Sequence, residues 1–143
     1  MGIFNFVMNA GKKLMGGDDA PAEAIQKEVK DLGLEGDVNV EVDGSKVKIT
    51  GEAPSQEMRE KIILAAGNVD GIEAVEEEIS TADAEPEATF HTVERGDTLS
   101  AIAKKVYGNA MKYPVIFEAN KPMLSDPDKI YPGQVLRIPP LAD

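Results

Sequence analysis

The sequence predicts an α+β protein made of two small domains, and three observations support this. Its 143 residues suffice for one ordinary domain or two very small ones, and its 42% hydrophobic and 29% charged content is typical of a soluble globular protein. Residues 22–80 contain helical and strand patterns in the order αββαβ. A short acidic stretch separates them from a second series of patterns in the order βααβ.

The first helix and hairpin of the first domain are indicated by residues 22–49. Apolar side chains recur at helical spacing in residues 22–34, and Gly33 can end the helix. Val and Ile then alternate with polar residues in two runs, 38–42 and 47–49. Because Asp43-Gly44 between these runs favours a tight turn, we expect a β-hairpin here.

A second helix and a third strand complete the first domain. Ser55 is a typical N-cap residue, and the apolar pattern after it continues to Gly67. The last strand is predicted at residues 73–80, with Val75 and Ile79 pointing inward. We expect the three consecutive glutamates, Glu76, Glu77 and Glu78, to lie mostly in solvent.

The turn at residues 67–72 joins the second helix to that strand. It carries two glycines, an Asn and an Asp, which tolerate unusual backbone angles, and it has no Ser, Thr, Cys or His. Such a turn offers mainly backbone groups to a ligand. The structural alternative is an ordinary Gly-capped helix followed by a tight turn.

Residues 1–17 are predicted to form an N-terminal helix that packs on the first domain. Closely spaced apolar residues, among them Phe4 and Phe6, would cover most of the surface of this helix, and Gly11 could end it. Membrane-surface anchoring is the alternative. The two lysines follow the apolar run instead of preceding it, so we do not expect an export signal.

Charge and composition exclude several classes of function. Residues 18–80 hold 17 acidic and 6 basic side chains, a net of −11, so phosphate contacts and nucleic-acid binding are not expected. The absence of Cys removes disulfides and thiolate sites, and one His argues against a zinc site or a His-based triad. No nucleophile or pocket signature indicates an enzyme.

The second domain is predicted from residues 90–143. Asp97 or Thr98 would cap its first helix, whose buried stripe we expect to include Leu99, Ile102, Ala103 and Val106. Pro132-Gly133 turns the chain into a last strand. Residues 82–89, small and acidic with one Pro, read as an extended linker.

Both domains resemble known families. The run VNVEVDGSKVKITGEA at residues 38–53, the SQEMREKI run and the VDGIEAV run resemble a BON domain. The resemblance covers residues 22–80, and we place the domain at residues 18–81. The runs RGDTLSAIA, IFEAN and IYPGQVLRIP resemble a LysM domain at residues 90–143. BON domains are usually binding or tethering modules without catalytic residues.

The LysM resemblance implies a groove that binds N-acetylglucosamine-containing glycans. It lies between the first strand–helix loop and the loop before the last strand. The matching residues here are Gly96, Asp97, Thr98, Leu99, Ile130 and Tyr131. A peptidoglycan-binding adaptor is therefore the alternative function, and the same groove could contact a protein partner. The same residue types are also what the fold itself needs.

The whole chain resembles a family of bacterial cytoplasmic potassium-binding proteins with the same two domains. The resemblance includes FNFV near the N-terminus and the run IFEANKPML. It implies a potassium sensor that compacts on binding the ion through main-chain carbonyls. On this chain those carbonyls belong to Val7, Met8, Ala10, Gly67, Val69 and Ile72. The resemblance implies that the ion is K⁺, and that Rb⁺ or Cs⁺ could take its place. It also implies a cytoplasmic monomer that does not associate with a membrane.

Overall fold

The computed structural model describes residues 2–6, 22–34, 36–69, 72–81, 88–121 and 123–140. The N-terminal domain has four strands and two helices: β1 (Gly2–Asn5), α1 (Ala22–Asp31), β2 (Asp37–Asp43), β3 (Lys46–Ala53), α2 (Gln56–Gly67) and β4 (Ala74–Thr81). The C-terminal domain has β5 (Thr89–Thr92), α3 (Leu99–Tyr107), a 3-10 turn (Ala110–Lys112), α4 (Tyr113–Ala119) and β6 (Val135–Ile138). The α+β class with two domains is confirmed.

The sheet of the N-terminal domain has the strand order β1-β4-β3-β2. Strands β2 and β3 form the predicted hairpin, and Gly44 in its turn has a φ of 62°, which glycine adopts without steric cost. Strand β4 runs parallel to β3, and α2 connects them. Helix α2 begins where the Ser55 hydroxyl accepts the Met58 N–H at 3.1 Å, so the predicted N-cap is confirmed.

The prediction of a helix at the very N-terminus is wrong for the residues described there. Gly2–Asn5 is strand β1, antiparallel to β4, with Ile3 opposite Glu76. Ile3 and Asn5 are exposed, whereas Phe4 is half-buried and Phe6 is buried. Burial therefore alternates with the period of two that is typical of a strand. Strand β1 pairs the edge of β4, whose backbone groups would otherwise lack partners on that side. The rest of the predicted helix, residues 7–17, lies outside the described residues.

The prediction that the β4 glutamates lie in solvent is wrong for Glu77. This residue is 1% exposed, and both of its carboxylate oxygens accept hydrogen bonds from the Arg59 guanidinium. Side chains alternate along a strand, so Glu77 shares a face with the buried Val75 and Ile79. The period of two was therefore the signal for its burial, and Arg59 from α2 supplies the opposite charge.

The C-terminal domain has a two-stranded antiparallel sheet of β5 and β6 beside α3 and α4. Thr98 caps α3 by accepting the Ala101 N–H at 3.1 Å, and Gly108 ends that helix with a φ of 76°. Its core contains the predicted Leu99, Ile102 and Ala103. Val106, also predicted to be buried, is 40% exposed near the end of α3. Of the predicted linker, residues 82–87 lie outside the described residues.

The two domains pack against each other along α2. Val135 of β6 lies in the hydrophobic core of the N-terminal domain, and Phe90 and Met123 pack against that core. The Phe4 and Phe90 rings are 5.0 Å apart between centroids, a tilted aromatic pair. Within the described ranges, no helix is both long enough and apolar enough to cross a membrane.

Replacing Arg59 by Met should destabilise the protein strongly. The substitution leaves the Glu77 carboxylate buried without its cation, which costs about 3–5 kcal/mol in the free energy of unfolding. The control is Lys27→Met, because the Lys27–Asp31 pair on α1 is exposed and worth less than about 1 kcal/mol. Urea unfolding followed by circular dichroism measures both. Equal, small losses for the two variants would contradict the structural role of the buried pair.

Candidate functional site: the turn after helix α2

Helix α2 ends at a turn made mainly of backbone groups. Gly67 is its last residue, and the N–H of the C-cap residue Asn68 donates to the Leu64 carbonyl at 2.9 Å. Beyond the cap, the Ile72 N–H donates to the Val69 carbonyl at 3.1 Å. Gly67, Val69 and Ile72, the three predicted ligands from this turn, are all buried. All three therefore lie in the buried part of the chain that follows from the end of the helix.

The N-terminal segment reaches this turn at Phe6. Its N–H donates to the Glu73 carbonyl at 2.8 Å, just after the turn. Its ring lies directly against Gly67, where an added Cβ would overlap three atoms of the ring. Gly67 is therefore required by close packing, at a position where φ is not positive. The other three predicted ligands, Val7, Met8 and Ala10, lie outside the described residues.

The turn lies at the carbonyl end of helix α2, where backbone oxygens carry partial negative charge. The last four carbonyls of a helix have no partner within the helix, and the helix dipole leaves partial negative charge there. Within the described part of the chain, the Ile72 N–H donates to the Val69 carbonyl, and a carbonyl oxygen has two lone pairs. Among the described residues, no group of three His, Asp or Glu side chains could hold a metal ion. Neutral carbonyl oxygens are the ligands that potassium-channel filters use.

The other side of the turn is attached to the C-terminal domain. The Asn68 side-chain amide donates to the Val135 carbonyl at 2.8 Å, and its oxygen accepts the Val135 N–H at 2.9 Å. This reciprocal pair joins residues 67 positions apart in the chain. The sequence does not predict this pair, because an Asn after a helix-ending Gly is explained equally well as a turn residue.

A buried ionic contact joins the domains near the start of α2. Glu60 is 3% exposed, and Arg137 Nε of β6 donates to its carboxylate at 2.7 Å. The same carboxylate accepts from Gln56 Nε2 at 3.1 Å and from the Ala88 N–H at 2.9 Å. Neither partner was singled out from the sequence. No sequence signal marks Glu60, because it stands among the other charged residues in the first half of α2.

A cavity of about 450 Å³ lies between the two domains beside the turn. The N-terminal domain lines it with Leu32 just after α1 and with residues at the end of α2 and its C-cap Asn68, and the C-terminal domain lines it with residues from the loop before β6. The full lining is Leu32, Leu64, Ala65, Asn68, Met123, Leu124, Ser125, Lys129, Tyr131 and Gln134. Tyr131 is half-buried, and this burial raises the pKa of its phenol.

The residues of the alternative glycan site carry structural roles. Thr98 caps α3, and Leu99 is 2% exposed in the core. Asp97 accepts the Glu94 N–H at 2.9 Å and contacts His91 Nε2 at 3.2 Å; the backbone hydrogen bond is the main cause of its lowered pKa. Gly96 has a φ of 91°, which only glycine adopts easily. Ile130 packs against the core of this domain.

Comparisons with known proteins agree with this division of the chain. A model of the BON domain matches residues 18–83, and a model of the LysM domain matches residues 91–139. The potassium binding protein Kbp of Escherichia coli O6:H1 is 50% identical over 147 aligned positions, which cover 97% of this chain and 99% of that relative.

Two further relatives share one domain-sized segment with the chain. An uncharacterized protein of Deinococcus radiodurans is 51% identical over 51 residues, 36% of this chain and 19% of that protein. An esterase of Mycobacterium tuberculosis is 49% identical over 53 residues, 37% of this chain and 11% of the esterase. Only the Escherichia coli protein among these three is matched along nearly its whole length. The chain, a BON domain followed by a LysM domain, therefore belongs to the family of the potassium binding protein Kbp.

Proposed function

We propose that the protein binds K⁺ reversibly through main-chain carbonyls and reports ion occupancy by the docking of its two domains. The N-terminal ligands would be Val7, Met8 and Ala10, and the turn after α2 would supply Gly67, Val69 and Ile72. The observation that carries this proposal is the packing of Phe6 on Gly67, because Val7 is the next residue in the chain. The name of the 50% identical relative supports the choice of ion.

The chemistry of the turn supports a neutral site. K⁺ is large and weakly hydrated, so a ring of carbonyl oxygens can replace its water shell. The same ring could accept Rb⁺ or Cs⁺, which differ from K⁺ mainly in size. In this proposal the acidic surface of the N-terminal domain supplies only a long-range potential, which salt screens beyond about 10 Å.

The docked arrangement of the domains fits the ion-bound form in this proposal. The turn forms one end of α2, and α2 contacts β6 through Asn68 near the turn and through Glu60 near the helix start. A change in the turn would therefore act directly on the domain interface. We further propose that the protein works as a cytoplasmic monomer, as the sequence leads us to expect.

Titration of the purified protein with KCl, NaCl and choline chloride at constant ionic strength tests the proposal. We expect K⁺ to bind with measurable heat in isothermal titration calorimetry and to reduce the radius of gyration in small-angle scattering. Choline serves as the control, because it cannot enter a small carbonyl ring. Binding or compaction that K⁺ and choline produce equally would overturn the proposal.

Replacing Gly67 by Ala should lower K⁺ affinity by about tenfold or more. The new methyl group must displace the Phe6 ring, and such overpacking typically costs about 1–3 kcal/mol. The displacement would pull the N-terminal segment away from the turn. The double variant Gly67→Ala/Phe6→Leu, with a smaller side chain at position 6, should recover part of the affinity. Unchanged affinity in Gly67→Ala would mean that Phe6 does not place the N-terminal ligands.

Neutralising nearby acids should change K⁺ affinity little. Asp70→Asn within the turn and Glu76→Gln on β4 remove charge that acts only through a screened field, so we expect affinity within about threefold of the unsubstituted protein. The same calorimetric titration at low and physiological salt measures this. A loss of a hundredfold in Asp70→Asn would identify a carboxylate ligand in place of the carbonyl ring.

A further inference from the structure

We infer that Asn68 is a positioning residue that sets the carbonyl geometry of the turn and couples ion occupancy to docking of the LysM domain. The inference rests on the proposed function. Asn68 lies between Gly67 and Val69, two proposed carbonyl ligands. Its side chain forms hydrogen bonds with the backbone of Val135 in the LysM domain. Asn68 supplies no ligand atom of its own.

The side-chain contact has defined geometry. The amide of Asn68 donates to the Val135 carbonyl at 2.8 Å and accepts the Val135 N–H at 2.9 Å. Both bonds lie within the normal range for N–H···O contacts, and they use both ends of the planar amide. Two bonds to one residue fix the direction of the side chain as well as its distance from β6.

The backbone of Asn68 is fixed at the same time. Its N–H donates to the Leu64 carbonyl at 2.9 Å. The Gly67 carbonyl shares a rigid planar peptide with that N–H and points in the opposite direction, away from the helix. The hydrogen bond of the Asn68 N–H therefore also sets the direction of the Gly67 carbonyl. The next peptide plane contains the Asn68 carbonyl and the Val69 N–H, so it links Asn68 to the second proposed ligand residue.

The partner residue is firmly placed in the LysM domain. Val135 is the first residue of β6, and it pairs with Thr92 of β5. Its side chain is 3% exposed and belongs to the core of the BON domain. Movement of β6 away from α2 would therefore expose Val135 and break both bonds to Asn68 together.

Reciprocity follows from these contacts. If docking of β6 holds the turn in the geometry that binds the ion, ion binding must favour docking by the same factor. Typical couplings between two sites are about 5- to 150-fold. Loss of the Asn68 contact should therefore weaken ion affinity and ion-dependent compaction together.

The test compares Asn68→Ala with two other variants. Asn39→Ala, an exposed Asn on β2, controls for the loss of an amide. Glu60→Gln weakens docking at the far end of α2, where Glu60 pairs with Arg137, without touching the turn. Calorimetric titrations with K⁺ and with Na⁺ give the affinity ratio of the two ions, and small-angle scattering with and without K⁺ gives compaction.

We expect Asn68→Ala to lower K⁺ affinity about tenfold, to reduce the K⁺/Na⁺ affinity ratio and to diminish compaction. Carbonyl geometry decides ion selectivity, so Glu60→Gln should lower both affinities in proportion and leave their ratio unchanged. Asn39→Ala should match the unsubstituted protein. Asn68→Ser, whose shorter side chain has one hydroxyl in place of the two polar ends of the amide, should give a smaller effect in the same direction, and it replaces Asn68→Ala if that variant unfolds.

Three outcomes would overturn the inference. If Asn68→Ala keeps the affinity and compaction of the unsubstituted protein, Asn68 positions nothing. If Asn68→Ala and Glu60→Gln lower both ion affinities equally without changing their ratio, Asn68 contributes to docking alone. If the unsubstituted protein itself shows no K⁺ binding, the proposed function fails first, and this outcome is distinguishable because it appears before any substitution is made.

Discussion

Helix α2 is buried by two domains at once, and the rest of the structure depends on this constraint. Where charged side chains of this helix are buried, they lose contact with water and need a partner within the fold. Arg59 pairs with Glu77 on the sheet side, and Glu60 pairs with Arg137 of the LysM domain. A buried carboxylate without a partner costs several kcal/mol, so docking of the second domain is part of how the first domain is stabilised.

This arrangement places the turn after α2 where three parts of the chain meet. Gly67 has no side chain, which lets the Phe6 ring approach from the N-terminal strand. Asn68 contacts β6 of the LysM domain on the other side. An ion held by the turn and the N-terminal segment would therefore stabilise both contacts, and sensing would need no separate element to transmit the change.

The LysM domain illustrates why fold alone does not assign function. Its family resemblance suggests a glycan groove. In this structure, however, the Thr98 side chain caps helix α3 and the Leu99 side chain is buried in the core. Tyr131 lines the cavity that this domain shares with the BON domain. In this chain, the contact with α2 is the feature that the LysM domain adds to the proposed ion site.

The sequence by itself determined the two domains, the hairpin at Gly44, the Ser55 cap and the backbone character of the turn. These features arise from local patterns, namely periodicity, capping and turn residues, which act over a few positions. Only the tertiary structure decided that Gly2–Asn5 is a strand, that Arg59 pairs with Glu77 and that Asn68 contacts Val135. Each of these depends on a partner brought close by folding over 18 or more residues, and no local pattern records such a partner.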